Sequence, residues 1–596
     1  MTLRHFFDHR GVQYGSLALV GAVMAYYWGF VFDFGYDFQW DVLYKENSTY
    51  GEVFGLNLLQ GMKMTVYISL ISSGIALVLG TAFGLARLSE FRPLYWFATV
   101  YVEFFRNTPL LVQLFFWYFA LPMGLPESWR QTIFSMNFEF WSATMGLSVY
   151  TGAFMAEIVR AGVQSIPKGL LEAAYSSGLN YFQALRTVIL PLAFRAIIPP
   201  LGSEFLNNMK NSSLAMVVGV AELCWQSQQI ESLTFRGFEA TTAASVLYLG
   251  LSLIISWIMN MVNARLRMDE SIRNRSMNLW LATILFLPFD LAWRCMAGMC
   301  RTAGRTSRAA GLRYSRGVLV WKKIGHGLWR ALILVAKVFF VVAVLMVLFQ
   351  TAKGLMAFNW KVIADNIRTL LIWRFPAEES DAVLWGLGGL SSSIMMAVMA
   401  ISVSFFIGLF VGLGRMSKNA LFRIPCLLYI EIIRGNPLIL VIFWVYFFVP
   451  IFVKTYLDVF WSATIALTIF TGAYLAEIVR GGIQNIPKGQ FEAAYGTGLG
   501  YYTTMIHIVL PQALKQMIPA IVGQFIAIFK DTSLAYVIGV LELTFVAQGL
   551  NNRLMIYPFE IYTTVAALYF VCCYSMSIVA HRLETRLSPE KSRLVM

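Results

Sequence analysis

The residues of this chain that could do chemistry are few, and nearly all of them occur twice. Lys210 is followed by Asn211, Ser212 and Ser213, and Lys530 by Asp531, Thr532 and Ser533. An ammonium beside small hydroxyl and amide groups suits the holding of a carboxylate. A lysine ending an apolar run equally suits a side chain that snorkels to a membrane interface. Glu103 and Arg106 stand three apart, as do Glu431 and Arg434, so each pair shares one face of a helix. Asn107, Thr108 and Pro109 follow the first pair; Gly435, Asn436 and Pro437 follow the second. Charges inside apolar segments are costly and face a protein interior or a water-filled path. These pairs therefore read either as the lining of a route for a polar solute or as ion pairs between helices.

A third set is Glu172, Ala173, Ala174 and Gly178, which recurs as Glu492, Ala493, Ala494 and Gly498, each time after Ile-Pro-Lys-Gly. Proline near the start and glycine just past the end bound a short helix. Its paired alanines give a flat face that lets another backbone approach, which suits docking in a groove of another protein. A capped connecting helix would look the same singly, but its duplication favours docking. Glu157–Arg160 and Glu477–Arg480 read as support for these segments. No Gly-Lys dipeptide occurs, so the chain has no phosphate-cradling loop of the usual kind. The five histidines are scattered and the six cysteines lack metal-ligand or disulfide spacing, which argues against an enzyme or a metal centre.

The elements that must position these groups are membrane helices. The chain is 58% apolar and only 13% charged, about half the charge of a soluble domain. Met64–Ala86, Thr241–Ala264 and Ser391–Gly414 lack charges and are long enough to cross roughly 30 Å of hydrocarbon. Spans are expected near 16–32, 61–86, 93–120, 141–160, 187–206 and 241–263, then near 331–350, 388–414, 421–449, 460–480, 506–528 and 561–580. The net charge of +14 reflects basic cytoplasmic loops rather than a nucleic-acid partner. Residues 264–330 carry thirteen Lys and Arg against three acidic residues, which places this linker in the cytoplasm. The short apolar run 277–291, broken by Pro288 and Asp290, is expected to be an interfacial helix. The aromatic residues near span ends read as an interfacial belt.

The chain is a tandem duplication. Residues 140–181 and 460–501 are identical at 27 of 42 positions at a constant offset of 320, which becomes 328 upstream. Six expected crossings separate Glu172 from Glu492, so both loops face one side and the halves share an orientation, related by an axis along the membrane normal. Basic termini put both ends of the chain in the cytoplasm.

Glu-Ala-Ala, glycine six residues after the Glu, and the Leu-Pro at 190–191 and 510–511 resemble the EAA loop of ABC importer permeases. Ala-Glu-Ile-Val-Arg at 156–160 and 476–480, the Arg-Asn-Thr-Pro-Leu beginning at Arg106 and the Lys-Asn-Ser-Ser beginning at Lys210 are similar to the branch taking up histidine, glutamate, glutamine, arginine and opines. The resemblance covers roughly 55–265 and 385–585. It implies an all-α polytopic membrane protein of the MetI-like, type I importer class, with about 12 transmembrane helices in two tandem, same-orientation permease domains. The expected layout is 1–54 tail, first helix and outer loop; 55–265 first permease domain; 266–330 basic linker; 331–384 extra helix and outer loop; 385–585 second permease domain; 586–596 tail. Permeases of this family are usually separate subunits, whereas here two are fused.

It further implies alternating access in a bacterial inner membrane. Two copies of a cytoplasmic ATPase, holding ATP and Mg, would dock on the two EAA loops, and a periplasmic or extracellular binding protein would deliver the amino acid. No cofactor is expected on this chain. The paired lysines tilt the expected cargo toward glutamate, aspartate or glutamine. A secondary transporter that needs no ATPase is the alternative.

Overall fold

A computed structural model describes residues 10–266, apart from 48 and 136, together with 316–372 and 386–587. The expected interfacial helix at 277–291 lies outside the described residues, as do 1–9 and 588–596. Among the described residues all named elements are helical. In the first half they are α1 (Arg10–Tyr26), α2 (Phe54–Ala86), α3 (Arg92–Asn107), α4 (Leu110–Phe115), α5 (Phe138–Gln164), α6 (Lys168–Ser176), α7 (Leu190–Asn211), α8 (Leu223–Thr234) and α9 (Gly237–Leu266). The second half holds α10 (Arg316–Ala357), α11 (Lys361–Leu371), α12 (Gly389–Met416), α13 (Ala420–Gly435), α14 (Leu438–Val453), α15 (Val459–Gln484), α16 (Lys488–Gly496), α17 (Leu510–Asp531), α18 (Leu543–Leu554) and α19 (Pro558–Leu587).

Nine helices among the described residues are individually long and apolar enough to cross a membrane. The remaining expected crossings fall on α3–α4, α13–α14 and α5. Helix α5 carries Ser142, Thr144, Ser148, Thr151, Glu157 and Arg160, which lower its hydropathy. It can afford them because most of its surface, including those four hydroxyls, is buried in protein rather than lipid. The Asn137 side chain accepts from the Phe140 N–H at 3.2 Å and starts it. Asp458 does the same for α15 through Phe460 at 2.7 Å.

The third crossing of each half departs from expectation. The spans 93–120 and 421–449 are not single helices. Each breaks at the residue before a proline, where Thr108 and Asn436 take extended backbone, because the proline ring disfavours helix in the residue before it. The axes of α13 and α14 meet at 113°. The Asn107 and Asn436 amides donate to the carbonyls of Glu103 and Ile432 at 2.7 and 2.9 Å, satisfying acceptors that the break exposes.

Close backbone approach sets the centre of each half. A Cβ on Gly80 would lie 2.5 Å from Met155 Cβ, and one on Gly84 2.7 Å from the Ala156 carbonyl. Gly408 and Gly412 repeat this against Leu475 and Ala476 at 2.4 and 2.7 Å. Small residues four apart let α2 lie on α5, and α12 on α15, at a distance no side chain permits.

The halves exchange equivalent contacts. Helix α9 packs on α14, and α19 packs on α3, α4 and the π turn Phe116–Ala120. Phe238 stacks on Phe448 at 5.5 Å, and Tyr562 lies against Phe115 and Phe119 at 5.5 and 5.9 Å. Such reciprocity marks a two-fold relation. The first helix of each half also reaches across: α1 lies on α13, with Gln13 accepting from the Ala420 N–H at 3.0 Å, while Phe340 of α10 meets Phe91 and Phe97 at 6.2 and 5.8 Å.

One buried polar network is not duplicated. Asn208 accepts from the Thr151 hydroxyl at 2.9 Å and donates to Ser72 and Ser73 Oγ at 2.7 and 2.8 Å, tying the end of α7 to α2 and α5. The second half has Ile528, Ala400 and Ile401 at the positions of Asn208, Ser72 and Ser73. An interhelical hydrogen bond in a membrane is worth about 0.6 kcal/mol on average. Asn208→Ile is therefore expected to cost about 1–2 kcal/mol in thermal unfolding of the purified chain, and adding Ser72→Ala with Ser73→Ile should recover part of it. A single variant as stable as the parent would show that the network contributes nothing. Gly84→Val should overpack the α2–α5 contact at a cost of about 1–3 kcal/mol, read as a lower melting temperature.

Candidate functional site: a charged cavity between the halves

Helices α7 and α17 bring the paired lysines to the interface between halves. Lys210 and Lys530 stand in the last turns of these helices, where a cation complements the helix dipole. Their side chains do not reach an interface with water: the residues are 7% and 8% exposed. Lys210 Nζ donates to the Arg434 carbonyl and to the Tyr474 hydroxyl, both at 3.1 Å. Lys530 Nζ donates to the Arg106 carbonyl at 2.8 Å. Each lysine thus binds a carbonyl just before the proline break of the opposite half, one of the acceptors that a helix end leaves open. Aromatic faces complete the shells, with Tyr474 under Lys210 at 5.8 Å and Tyr150 and Phe154 under Lys530 at 5.8 and 5.4 Å.

Between the lysines lies a cavity of about 250 Å³, just below the usual range of about 300–1,000 Å³ for small-molecule sites. Both walls use corresponding positions of the two halves, beginning at Pro109 and Pro437. Four lining residues are charged: Lys210, Lys530, Glu204 and Asp531. Positions 204, 207 and 211 form one stripe of α7, and 524, 527 and 531 the matching stripe of α17. The first reads Glu, Asn, Asn and the second Gln, Ala, Asp, so the cavity is two-fold in shape but not in charge.

Of the candidate pathway residues, Lys210, Asn211, Asn436, Lys530 and Asp531 line this cavity. Ser212, Thr532 and Thr108 do not. The Ser212 and Thr532 hydroxyls turn back to the carbonyls of Met209 and Phe529 at 2.6 and 2.7 Å, and one residue of helical rotation gives their place on the wall to Ser213 and Ser533. Thr108 Oγ1 donates to the Phe104 carbonyl at 3.1 Å and accepts from Gln113 at 2.8 Å.

Glu103, Arg106, Glu431 and Arg434 also lie off the cavity wall. Glu103 faces Arg87 at 3.6 Å, and Arg87 binds Glu157 at 2.7 Å. Arg415 likewise bridges Glu431 at 3.3 Å and Glu477 at 2.9 Å. Arg160 and Arg480 pair with Glu157 and Glu477 one turn away. Arg106 and Arg434 lie over Phe154 and Tyr474 at 5.3 and 5.1 Å, behind the rings that line the cavity, and Arg434 also reaches Glu477 at 4.0 Å. Glu103 thus takes part in ion pairs between helices, one of its two expected readings, because Arg87 at the end of α2 approaches both Glu103 and Glu157.

The alanine-bearing segments form the expected short helices, α6 and α16. Gly178 and Gly498 take left-handed φ of +81° and +80°. The Leu179 and Leu499 N–H groups close back on the carbonyls of Ala174 and Ala494, both at 3.1 Å, a glycine-dependent helix stop. The flat two-alanine face is not formed. Ala174 and Ala494 are buried against their own halves, at 6% and 3% exposure, whereas Glu172, Ala173, Glu492 and Ala493 are exposed. Neighbours in a helix point about 100° apart, so one alanine faces inward while the other faces out.

Sequence reasoning missed Glu204 and two buried carboxylates, Glu222 and Glu542. Glu222 caps α8 through the Trp225 N–H at 2.8 Å and accepts from the Tyr248 hydroxyl at 2.6 Å. Glu542 repeats this with Phe545 at 2.8 Å and Tyr569 at 3.1 Å. Recurrence of this glutamate at the 320-residue offset was the available signal. For Glu204 the signal was an acidic residue three and seven positions before two asparagines on an apolar helix.

The family of binding-protein-dependent transport system inner membrane components matches residues 76–268 and 404–589, more than half of the chain. A probable glutamine ABC transporter permease, GlnM of Bacillus subtilis (strain 168), is 41% identical over 209 residues, covering 35% of this chain and 92% of that protein. The glutamate/aspartate import permease GltJ of Escherichia coli (strain K12) is 34% identical over 237 residues, covering 39% of this chain and 96% of that protein. Among solved structures, one described as an amino acid ABC transporter with histidines is 32% identical, covers 36% of this chain and 95% of its own, and has a TM-score of 0.32. Each relative is nearly spanned by little more than a third of this chain, and the family occurs in it twice. The chain belongs to the binding-protein-dependent transport system inner membrane components, and is an amino acid ABC transporter permease, a multi-pass inner-membrane transport component rather than an enzyme, with two permease domains fused in one polypeptide.

Proposed function

We propose that this chain forms by itself the whole transmembrane unit of an ATP-driven importer, and that its cargo, a polar amino acid, passes through the cavity between Lys210 and Lys530. The observation that carries this reading is that cavity: a charged space at the two-fold interface, walled by corresponding residues of both halves. In a membrane interior such charges are tolerated where they serve a polar path. The permease domains would occupy about 55–265 and 385–585, with the basic linker 266–330 and both termini in the cytoplasm. The paired ammonium groups favour a cargo bearing carboxylate or amide groups, with glutamate, aspartate and glutamine as the leading candidates. The two permease relatives above are named for glutamine and for glutamate/aspartate.

Energy would come from two copies of a separate ATPase, which would bind the ATP and Mg. A binding protein outside would deliver the amino acid. Helices α6 and α16 present Glu172, Ala173, Glu492 and Ala493 outward on segments stopped by left-handed glycines. That suits them to sit in clefts of the ATPase pair, with Ala174 and Ala494 seating each helix on its own half. Transport follows only if the ATPase binds the two permease states with different free energies.

The test uses the full chain reconstituted with its ATPase and binding protein in proteoliposomes. Glu172→Trp together with Glu492→Trp should lower ATP-driven uptake about 5- to 150-fold, the range typical of one coupling free energy, while the protein still inserts and remains monodisperse. Uptake by the double variant equal to that of the parent would overturn the coupling assignment. Uptake by the parent without any ATPase would favour the secondary-transporter reading.

A further inference from the structure

The two walls of the cavity are related by the duplication, yet each carries a single carboxylate, and the two stand at different depths. Asp531 is on the α17 wall beside Lys530; its counterpart is Asn211. Glu204 is on the α7 wall; its counterpart is Gln524. Seven residues separate positions 204 and 211, which at about 1.5 Å per residue is roughly 10 Å of helix. The charged residues on the wall are two lysines and two carboxylates, so the lining carries no formal net charge. One unused acceptor also lines the cavity: the Oδ1 atom of Asn436, only 6% exposed, has no hydrogen-bond partner among the described residues.

We propose that this asymmetry makes one oriented site for a single amino acid of zero net charge with an amide-bearing side chain. The proposal rests on the reading that the cavity holds the cargo, and narrows it. The α-carboxylate lies at the level of Lys210 and Lys530, which face each other across the two-fold. The α-ammonium lies on the α17 side, where Asp531 is the only carboxylate at that depth among the described lining residues and Asn436 offers its free Oδ1. A ligand so placed extends its side chain toward Glu204, Asn207 and Gln524. An amide N–H₂ can donate to Glu204. A carboxylate there meets like charge in a water-poor space, where repulsion is strong. A two-fold symmetric lining would allow two equivalent poses. Here the reversed pose puts the ammonium against Asn211, which carries no charge. The glutamate and aspartate included in the broader cargo class are therefore disfavoured, and Glu204 is the residue that disfavours them.

The experiment measures binding of radiolabelled L-glutamine to the full chain in lipid nanodiscs, without ATPase or binding protein, with unlabelled glutamate and arginine as competitors. Expected are one glutamine per chain, and competition by glutamate and by arginine that is each at least about tenfold weaker than by unlabelled glutamine. Asp531→Asn should weaken glutamine binding at least about tenfold, and Asn211→Asp with Asp531→Asn should restore it by moving the ammonium site to the other wall. Glu204→Gln should improve competition by glutamate at least about tenfold, a gain that a misfolded variant cannot give. Two glutamines per chain, glutamate or arginine binding the parent as tightly as glutamine, or no gain of glutamate binding in Glu204→Gln would overturn this inference. Lys210→Met with Lys530→Met separates the two levels of the argument: binding unchanged in that variant would instead overturn the reading that the cavity holds the cargo.

Discussion

The interaction on which the rest of the structure depends is the exchange of lysines between halves. Each permease domain breaks a helix at a proline and leaves backbone carbonyls without partners in the interior. The ammonium that meets one of these comes from the other domain: Lys530 on the Arg106 carbonyl and Lys210 on the Arg434 carbonyl. A lysine in so dry a place needs acceptors, and a helix end needs a donor, so each defect answers the other. This contact fixes the register of the two halves and brings Pro109 and Pro437 to opposite walls. It also leaves the lysines with unused donor capacity facing the space between.

The remaining features arrange themselves around that contact. Rings of Tyr150, Phe154 and Tyr474 form a floor for the cations. Behind them Arg106 and Arg434 press on the same rings. Farther along, ion clusters about Glu157 and Glu477 join the ends of three helices in each half and lead, through α5 and α15, to the two short exposed helices. A route from α6 and α16 to the cavity therefore runs along single rigid helices. The halves are not equally bound, however: polar contacts through Asn208 fasten α7 to its neighbours, whereas Ile528 leaves α17 to apolar packing.

Much of this was legible in the sequence, and the limits have physical causes. Duplication fixed the plan, since Glu, Lys, Pro and Gly repeated at one offset are not selected by lipid solubility. Apolar run lengths located the crossings, and the Pro–Gly bracket located α6 and α16. The partners of Lys210 and Lys530 were hidden because a backbone carbonyl has no letter in the sequence. Ion pairs between helices were one of the two readings of Glu103, but the partner was hidden, because helical spacing reports neighbours along one helix and not Arg87 arriving from another. Thr108 and Ser212 were placed on the pathway for their chemistry, while the break at Pro109 and a single residue of rotation turned them to backbone acceptors. Ala174 looked like half of a docking face until its own domain buried it.

The central claim is tested most directly by an experimental map of the full chain in a lipid nanodisc, at a resolution that places lysine side chains. The account predicts Lys210 and Lys530 buried between α7 and α17, each within hydrogen-bond reach of the carbonyl before the opposite half's proline break, with a polar cavity between them. Helices α7 and α17 held apart by lipid, with both ammonium groups extended to the headgroups, would contradict it.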